Sequence, residues 1–189
     1  MLSISSMVYE ILNDLYKNNP KALHILLTHS LQVKETALLL ASQHPEWEVD
    51  KDIIGNGAIV HDIGIIFCNA PIIECYGPHC YIEHGFLGAE FLREKNLPHL
   101  AHIAERHTGT GITKQQIIKQ RLPLPHRDFL PETLEEKIIC FADKFYSKTH
   151  LYIPNTITKI RYKLERDGGK EALQRWDELY NLMGITDLP

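Results

Sequence analysis

The stretch Ala58–Ile66, AIVHDIGII, sets a histidine and an aspartate side by side in an otherwise apolar run. A run of this kind is buried in a folded chain, and an ionised carboxylate buried without a partner costs several kcal/mol or more. The fold must therefore bring Asp62 a positive partner: an arginine, a proton or a metal ion. Histidine is over-supplied for the task, with 11 in 189 residues against 8 tyrosines and 6 phenylalanines. As neutral ligands near pH 7, so many histidines favour metal binding. A formal net charge of −4 argues against a strongly basic nucleic-acid surface.

Apolar residues recur at helical spacing along most of the chain, and no alternating strand-like run interrupts them. Amphipathic segments are expected over Pro20–His44, Asp50–Asp62, His84–Lys95, Pro98–His107, Thr113–Arg121 and Thr133–Ser147. Two more, Thr156–Asp167 and Gly169–Met183, flank Gly168. Pro20 suits a first helical turn, and Glu135 and Glu136 suit the positive end of theirs. Between helices, CNAPIIECYGPHCYI carries the breakers Pro71, Gly77 and Pro78, while LPLPHRDFLPET reads as an ordered loop and a candidate lid. The expected architecture is all-α, a single-domain helical bundle over 1–189. Its core covers about residues 22–149, with N- and C-terminal accessory helices that close the core or form an interface between copies.

The N-terminus lacks the basic start and apolar run of a signal peptide, and its Met7, Ile11, Leu12 and Leu15 fall at helical spacing. No segment approaches the ~18 uninterrupted apolar residues of a membrane span. Cys68, Cys75, Cys80 and Cys140 show no two-residue spacing of a zinc knuckle or redox dithiol. A reduced, cytoplasmic protein is expected.

The informative polar residues lie on apolar helix faces. His29 shares a stripe with Ala22, Leu26, Val33, Ala37 and Leu40, and His61 continues the face of Ile54 and Ala58. His107 follows Leu100 and Ala104, whereas His84 shares a face with Leu87, Gly88 and Phe91. Asp143 interrupts IICFADKFY, apolar nearly all round and so central. Four inward histidines and two inward aspartates, with no inward arginine to balance them, make a poor structural network and a good set of ligands for two divalent cations.

In THSLQV (His29), VHDIG (His61, Asp62) and FADKF (Asp143), in this order and spacing, the chain resembles the HD superfamily of metal-dependent phosphohydrolases, HDIG subgroup. EHGFLGAEFL (His84) and ERHTGTG (His107) look like the second metal layer of the bacterial HD-domain hydrolases of diadenosine tetraphosphate. The likeness spans about Ala22–Thr149. It implies one metal held by His29, His61, Asp62 and Asp143, and a second held by His84 and His107, with Asp62 bridging. A metal-activated water would then attack a phosphate ester or anhydride of a small phosphorylated molecule, most plausibly a nucleotide. Nitrogen and oxygen ligands suit iron or manganese first, with zinc, nickel or cobalt as alternatives.

Two positions depart from the family pattern: Ile65 stands where many HDIG proteins carry a lysine, and Leu26 where the diadenosine tetraphosphate branch carries an arginine. Lys144 and Lys148, one helical turn apart, are the candidate phosphate contacts, and Lys144 joins Asp62 in the expected catalytic pair. Arg106 and the Thr108–Gly111 turn lie near the expected site, while Lys159, Arg161, Lys163 and Arg166 read as a solvated helix face. His79 reads as a surface imidazole. Two other readings keep the same residues: a di-iron oxygenase of the HD type, and a non-catalytic nucleotide-sensing module. Membrane and nucleic-acid partners are not expected.

Overall fold

The computed structural model describes residues 5–184. Eight α-helices run in chain order: α1 Ser6–Tyr16, α2 Pro20–Gln43, α3 Lys51–Val60, α4 His84–Glu94, α5 Pro98–Arg106, α6 Lys114–Gln120, α7 Leu134–Asp143 and α8 Ile157–Met183. Their starts follow from local chemistry. Asn19, Asp50, Thr113, Thr133 and Thr156 each accept a backbone N–H of the first turn, and Pro20 occupies the start of α2. The expected all-α class holds. The one strand ladder among the described residues is a two-residue pairing, β1 Asn69–Ala70 with β2 Cys75–Tyr76, inside the irregular segment, beside a few isolated bridges.

Helix α2 is the spine, packing against α3 and α7, while α4 lies along α5 and α7 supports α8. The stripe read from α2 is buried throughout, with Ala22, Leu26, Val33, Ala37 and Leu40 all fully inaccessible. In α1 the buried face is Val8, Leu12 and Tyr16 rather than a face containing Met7, which stays exposed. Both terminal helices close the core, since residues of α1 and α8 belong to the same apolar cluster as α2, α3 and α7. On the α8 side, Trp176 stacks on Phe141 at 4.7 Å between ring centroids.

Three boundaries differ from expectation, each for a visible reason. Helix α3 ends at Val60, so His61 and Asp62 lie in the turn leading to a 3-10 segment at Ile63–Phe67. On a continuing helix the two side chains would diverge by about 100°; leaving it lets both face one point. Helix α7 stops at Asp143, and Asn155 holds the turn that follows, its backbone N–H donating to Phe145 O and its side-chain amide to Lys144 O. Lys148 therefore sits beyond the helix, not one turn along it. The two C-terminal segments form one helix bent at Gly169, whose φ of 71° and ψ of −170° only glycine adopts readily.

The loop 122–133 is tied down. Arg127 Nη2 donates to Glu105 Oε2 at 2.8 Å, Lys114 N donates to Asp128 Oδ1 at 2.7 Å, and Phe129 exchanges backbone bonds with Ile112. The lid expectation gives way to a strap. No helix among the described residues is long and apolar enough to cross a membrane.

Candidate metal centre

Five parts of the chain deliver the polar core. His29 comes from the middle of α2, His61 and Asp62 from the turn after α3, and His84 from the first residue of α4. His107 follows the last residue of α5, and Asp143 ends α7. Thus α3, α5 and α7 all stop at one place. Close approach of α4 depends on glycine: a Cβ on Gly64 would lie 2.1 Å from His84 O and 2.5 Å from Gly88 N. The Tyr16 hydroxyl donates to Ile63 O at 2.8 Å and braces the same turn from α1.

All six side chains expected from the sequence come together. The ligand atoms of His29, His61, Asp62 and Asp143 lie within 4.8 Å of one another, as do those of Asp62, His84 and His107. Asp62 belongs to both groups. Its Oδ2 is 3.1 Å from His29 Nε2 and 2.9 Å from His61 Nε2, while its Oδ1 is 3.1 Å from His84 Nε2 and 3.3 Å from His107 Nε2. Asp143 Oδ1 lies 3.0 Å from His29 Nε2. His29, His61, Asp62, His84 and His107 are all at most 4% exposed.

Two lysines also reach the cluster. Lys148 Nζ is 2.5 Å from Asp62 Oδ2, and Lys144 Nζ is 2.6 Å from Asp143 Oδ2 and 3.0 Å from His107 O. This corrects the argument that only a metal could balance Asp62, because the core receives cations from the turn after α7. What the lysines do not satisfy is the geometry of the acceptors. Nδ1 of His61, His84 and His107 lies 2.6–2.7 Å from the carbonyls of Ala58, Tyr81 and Ala104. A carbonyl only accepts, so each of these Nδ1 atoms carries a proton and each ring turns its Nε2 toward the cluster.

These Nε2 atoms, together with that of His29, face one another and the carboxylates. His84 Nε2 and His107 Nε2 are 3.1 Å apart, and His29 Nε2 and His61 Nε2 are 3.2 Å apart. Neither oxygen of Asp62 accepts a hydrogen bond of acceptable geometry. A proton relieves one such repulsion, whereas a cation between the groups converts all of them to attraction. The residues therefore fit divalent metal ions, with three of the four imidazoles, those of His61, His84 and His107, oriented by a backbone carbonyl as in well-ordered metal sites.

The electrostatics divide the rings, with the buried carboxylates favouring an imidazolium at His61 and burial favouring a neutral ring at His107. Burial opposes the charged form of His61, but Asp62 and Asp143 outweigh it and push its pKa up to about 9. Burial pushes His107 down to about 4, so this ring is a neutral donor across the physiological range. For Asp62 and Asp143, burial favours the protonated acids, yet His61 and Lys148 for the former, and Lys144 and His29 for the latter, hold both well below the usual carboxylate range.

A cleft of about 560 Å³ opens from the cluster and is lined by His84, His107, Asp143, Lys144, Lys148 and Tyr81, among others. The Tyr81 ring stacks on His84 at 4.7 Å. Arg106 takes no part, being paired with Glu136 and Glu132. Ile65 and Leu26 are fully buried core residues, so neither position presents a side chain to substrate. His79 is half exposed beside Glu83, as expected of a surface imidazole. Lys163 was missed: read as part of a solvated face, it is half-buried and lines the cleft. Its position beside the buried Ile160 and Leu164 is the signal that separates it from exposed Lys159 and Arg166. Asn155, also on the cleft wall, carried no comparable signal.

The chain belongs to the HD-domain family, whose model matches residues 26–147. An uncharacterized protein of Methanocaldococcus jannaschii is 38% identical over 164 residues, covering 84% of this chain and 89% of that protein. A tRNA (cytidine(56)-2′-O)-methyltransferase of Picrophilus torridus is 32% identical over 162 residues, covering 85% of this chain and 43% of the enzyme. This chain thus spans less than half of that relative. Among solved structures, the HD domain of the L. monocytogenes phosphodiesterase PgpH in complex with cyclic-di-AMP superposes with a TM-score of 0.53 at 20% identity. The match covers 95% of this chain and 98% of the other, and it shows a shared fold.

Proposed function

We propose that this protein is a metal-dependent phosphohydrolase that cleaves a phosphate ester or anhydride of a nucleotide at a binuclear centre. The observation that carries the reading is the inward-facing acceptor set, two groups of ligand atoms sharing Asp62, at the floor of a cleft whose walls hold lysines. His29, His61, Asp62 and Asp143 would hold one divalent ion, and His84, His107 and Asp62 the other. When bound, such ions supply the positive charge that lowers the pKa of a water and polarises a phosphoryl group.

The chain's own residues do the rest. Carbonyls of Ala58, Tyr81 and Ala104 hold three imidazoles in one tautomer and one direction, so no reorganisation accompanies the reaction. Lys144 and Lys148 bring ammonium groups to the cleft floor, where each can donate to non-bridging phosphate oxygens as negative charge develops. Lys148 takes the larger part in this reading, because it reaches Asp62 while Lys144 is shared with His107 O. PgpH, which shares the fold, is a phosphodiesterase seen with cyclic-di-AMP, and this supports a nucleotide as the substrate class.

Metal content of protein purified without chelator, measured beside phosphate release from a nucleotide panel, tests the proposal. Close to two transition-metal equivalents per chain and release from at least one nucleotide are expected, with oxygen uptake run alongside to detect oxygenase chemistry. The double variant His84→Ala/His107→Ala should retain the fold and lose one equivalent. Retention of both metals would remove the second site from the scheme. The partial match to a tRNA methyltransferase adds RNA fragments to the panel.

A further inference from the structure

The cleft does not end at the lysines. A second cavity of about 350 Å³ lies between α6, α8 and the Thr108–Ile112 turn, and six residues line both spaces, Lys144 and Lys163 among them. The walls that belong to the second cavity alone include Ile82, Ile112, Leu122 and Ala172. Its main polar group is already satisfied: Gln116 Nε2 donates to Gly168 O at 2.8 Å, and its Oε1 accepts from Thr113 N and Arg175. Away from the shared Lys144, Lys163 and Asp167, what remains is a largely apolar slot opening onto the cleft beside the cluster.

Lys163 stands where the two spaces meet. It is half-buried, and it forms no hydrogen bond or close ion pair with any described residue, Asp167 and Asp143 acting on it only at longer range. Its ammonium is partly buried and feels the like charges of Lys159 and Arg166 more than the carboxylates of Asp167 and Asp143, so an anion at the junction would be favoured there. On the far side, aliphatic walls with the amides of Gln116 and Gln120 suit an apolar-faced heterocycle.

We propose that the second cavity is the nucleobase subsite of the enzyme and that Lys163 binds the phosphate on the side away from the metal cluster. The proposal deepens the nucleotide reading above and rests on it. It makes Lys163 and the α6–α8 slot determinants of specificity: the base sits between Ile112, Leu122 and Ala172, the sugar spans the junction, and the phosphate lies between Lys163 and the cluster. Gln120, exposed on α6 and lining the slot, stands at its edge.

The test is calorimetric titration of the full chain, with its metals, against AMP, GMP, CMP, UMP and ribose 5-phosphate, with phosphate release followed in parallel. Where turnover occurs, KM is read in place of Kd. At least one nucleotide should bind about tenfold or more tightly than ribose 5-phosphate. Lys163→Met should weaken nucleotide and ribose 5-phosphate alike by about tenfold. Gln120→Trp, which fills the slot from its exposed edge, should abolish the preference for the base while leaving ribose 5-phosphate affinity in place. Circular dichroism confirms that both variants fold. Equal affinity of the wild-type chain for all five ligands, no binding of any, or a base preference that survives Gln120→Trp overturns the subsite. A base preference without any phosphate release would instead sink the hydrolase reading and leave the subsite standing.

Discussion

At the scale of the residue, the centre was legible wherever a polar side chain broke an apolar period. His29 on the α2 stripe and His107 after Leu100 and Ala104 needed only helical geometry to be placed inside. Lys148 was a different matter, because its approach to Asp62 depends on an irregular turn that no periodicity describes. Tyr16 illustrates how a distant residue holds the site. Its hydroxyl is buried and bonds to Ile63 O. Tyr16→Phe should cost about 1–3 kcal/mol, because that carbonyl is left unsatisfied. Urea denaturation measures the loss, and an unchanged midpoint would show that the bond contributes nothing. The cysteines allow a second test. Burial pushes Cys68 up to about 12 and Cys75 and Cys140 up to about 11, whereas Cys80 is exposed. Native protein at pH 8.5 should therefore react with an alkylating reagent at Cys80 alone, read by mass spectrometry. The sign for stability follows: the folded chain keeps these protons above pH 9 while unfolded thiols ionise, so stability falls as pH rises from about 9 through 11–12.

At the scale of the element, helices were readable and their ends were not. Helix interiors follow from apolar spacing, but the ends of α3 and α7 depend on contacts that spacing does not describe, His61 Nδ1 on Ala58 O at α3 and Asn155 on the turn after α7. The bend in α8 was marked by the Gly168–Gly169 pair, yet its consequence, a slot between α6 and α8, depends on packing that one segment cannot reveal. The approach of α4 to the turn after α3 is the element contact most exposed to mutation. Gly64→Ala would drive a methyl into the backbone of His84 and Gly88, neither of which is the flexible end of a side chain. A loss of about 3 kcal/mol or more is expected, together with lower metal content as His84 is displaced. A variant with wild-type melting temperature and metal content would show that α4 has more freedom than its packing implies.

At the scale of the molecule, the six candidate ligands span residues 29 to 143, so the centre exists only when the bundle is assembled. Ions that bind the folded chain alone stabilise it, by about 3–4 kcal/mol when free metal stands at 100–1,000 times Kd. Exhaustive chelation should lower the melting temperature, and added manganese or iron should restore it. Absence of any shift would contradict occupancy of the centre. A further consequence comes from where the helices stop. The carboxyl ends of α3, α5 and α7 all point at the cluster, against the single amino end of α4. Peptide dipoles gather partial negative charge at a helix's carboxyl end, so the bundle lays a cation-attracting field over this one spot before any side chain is counted. An approaching ion is drawn by the architecture first, and only then held by the imidazoles.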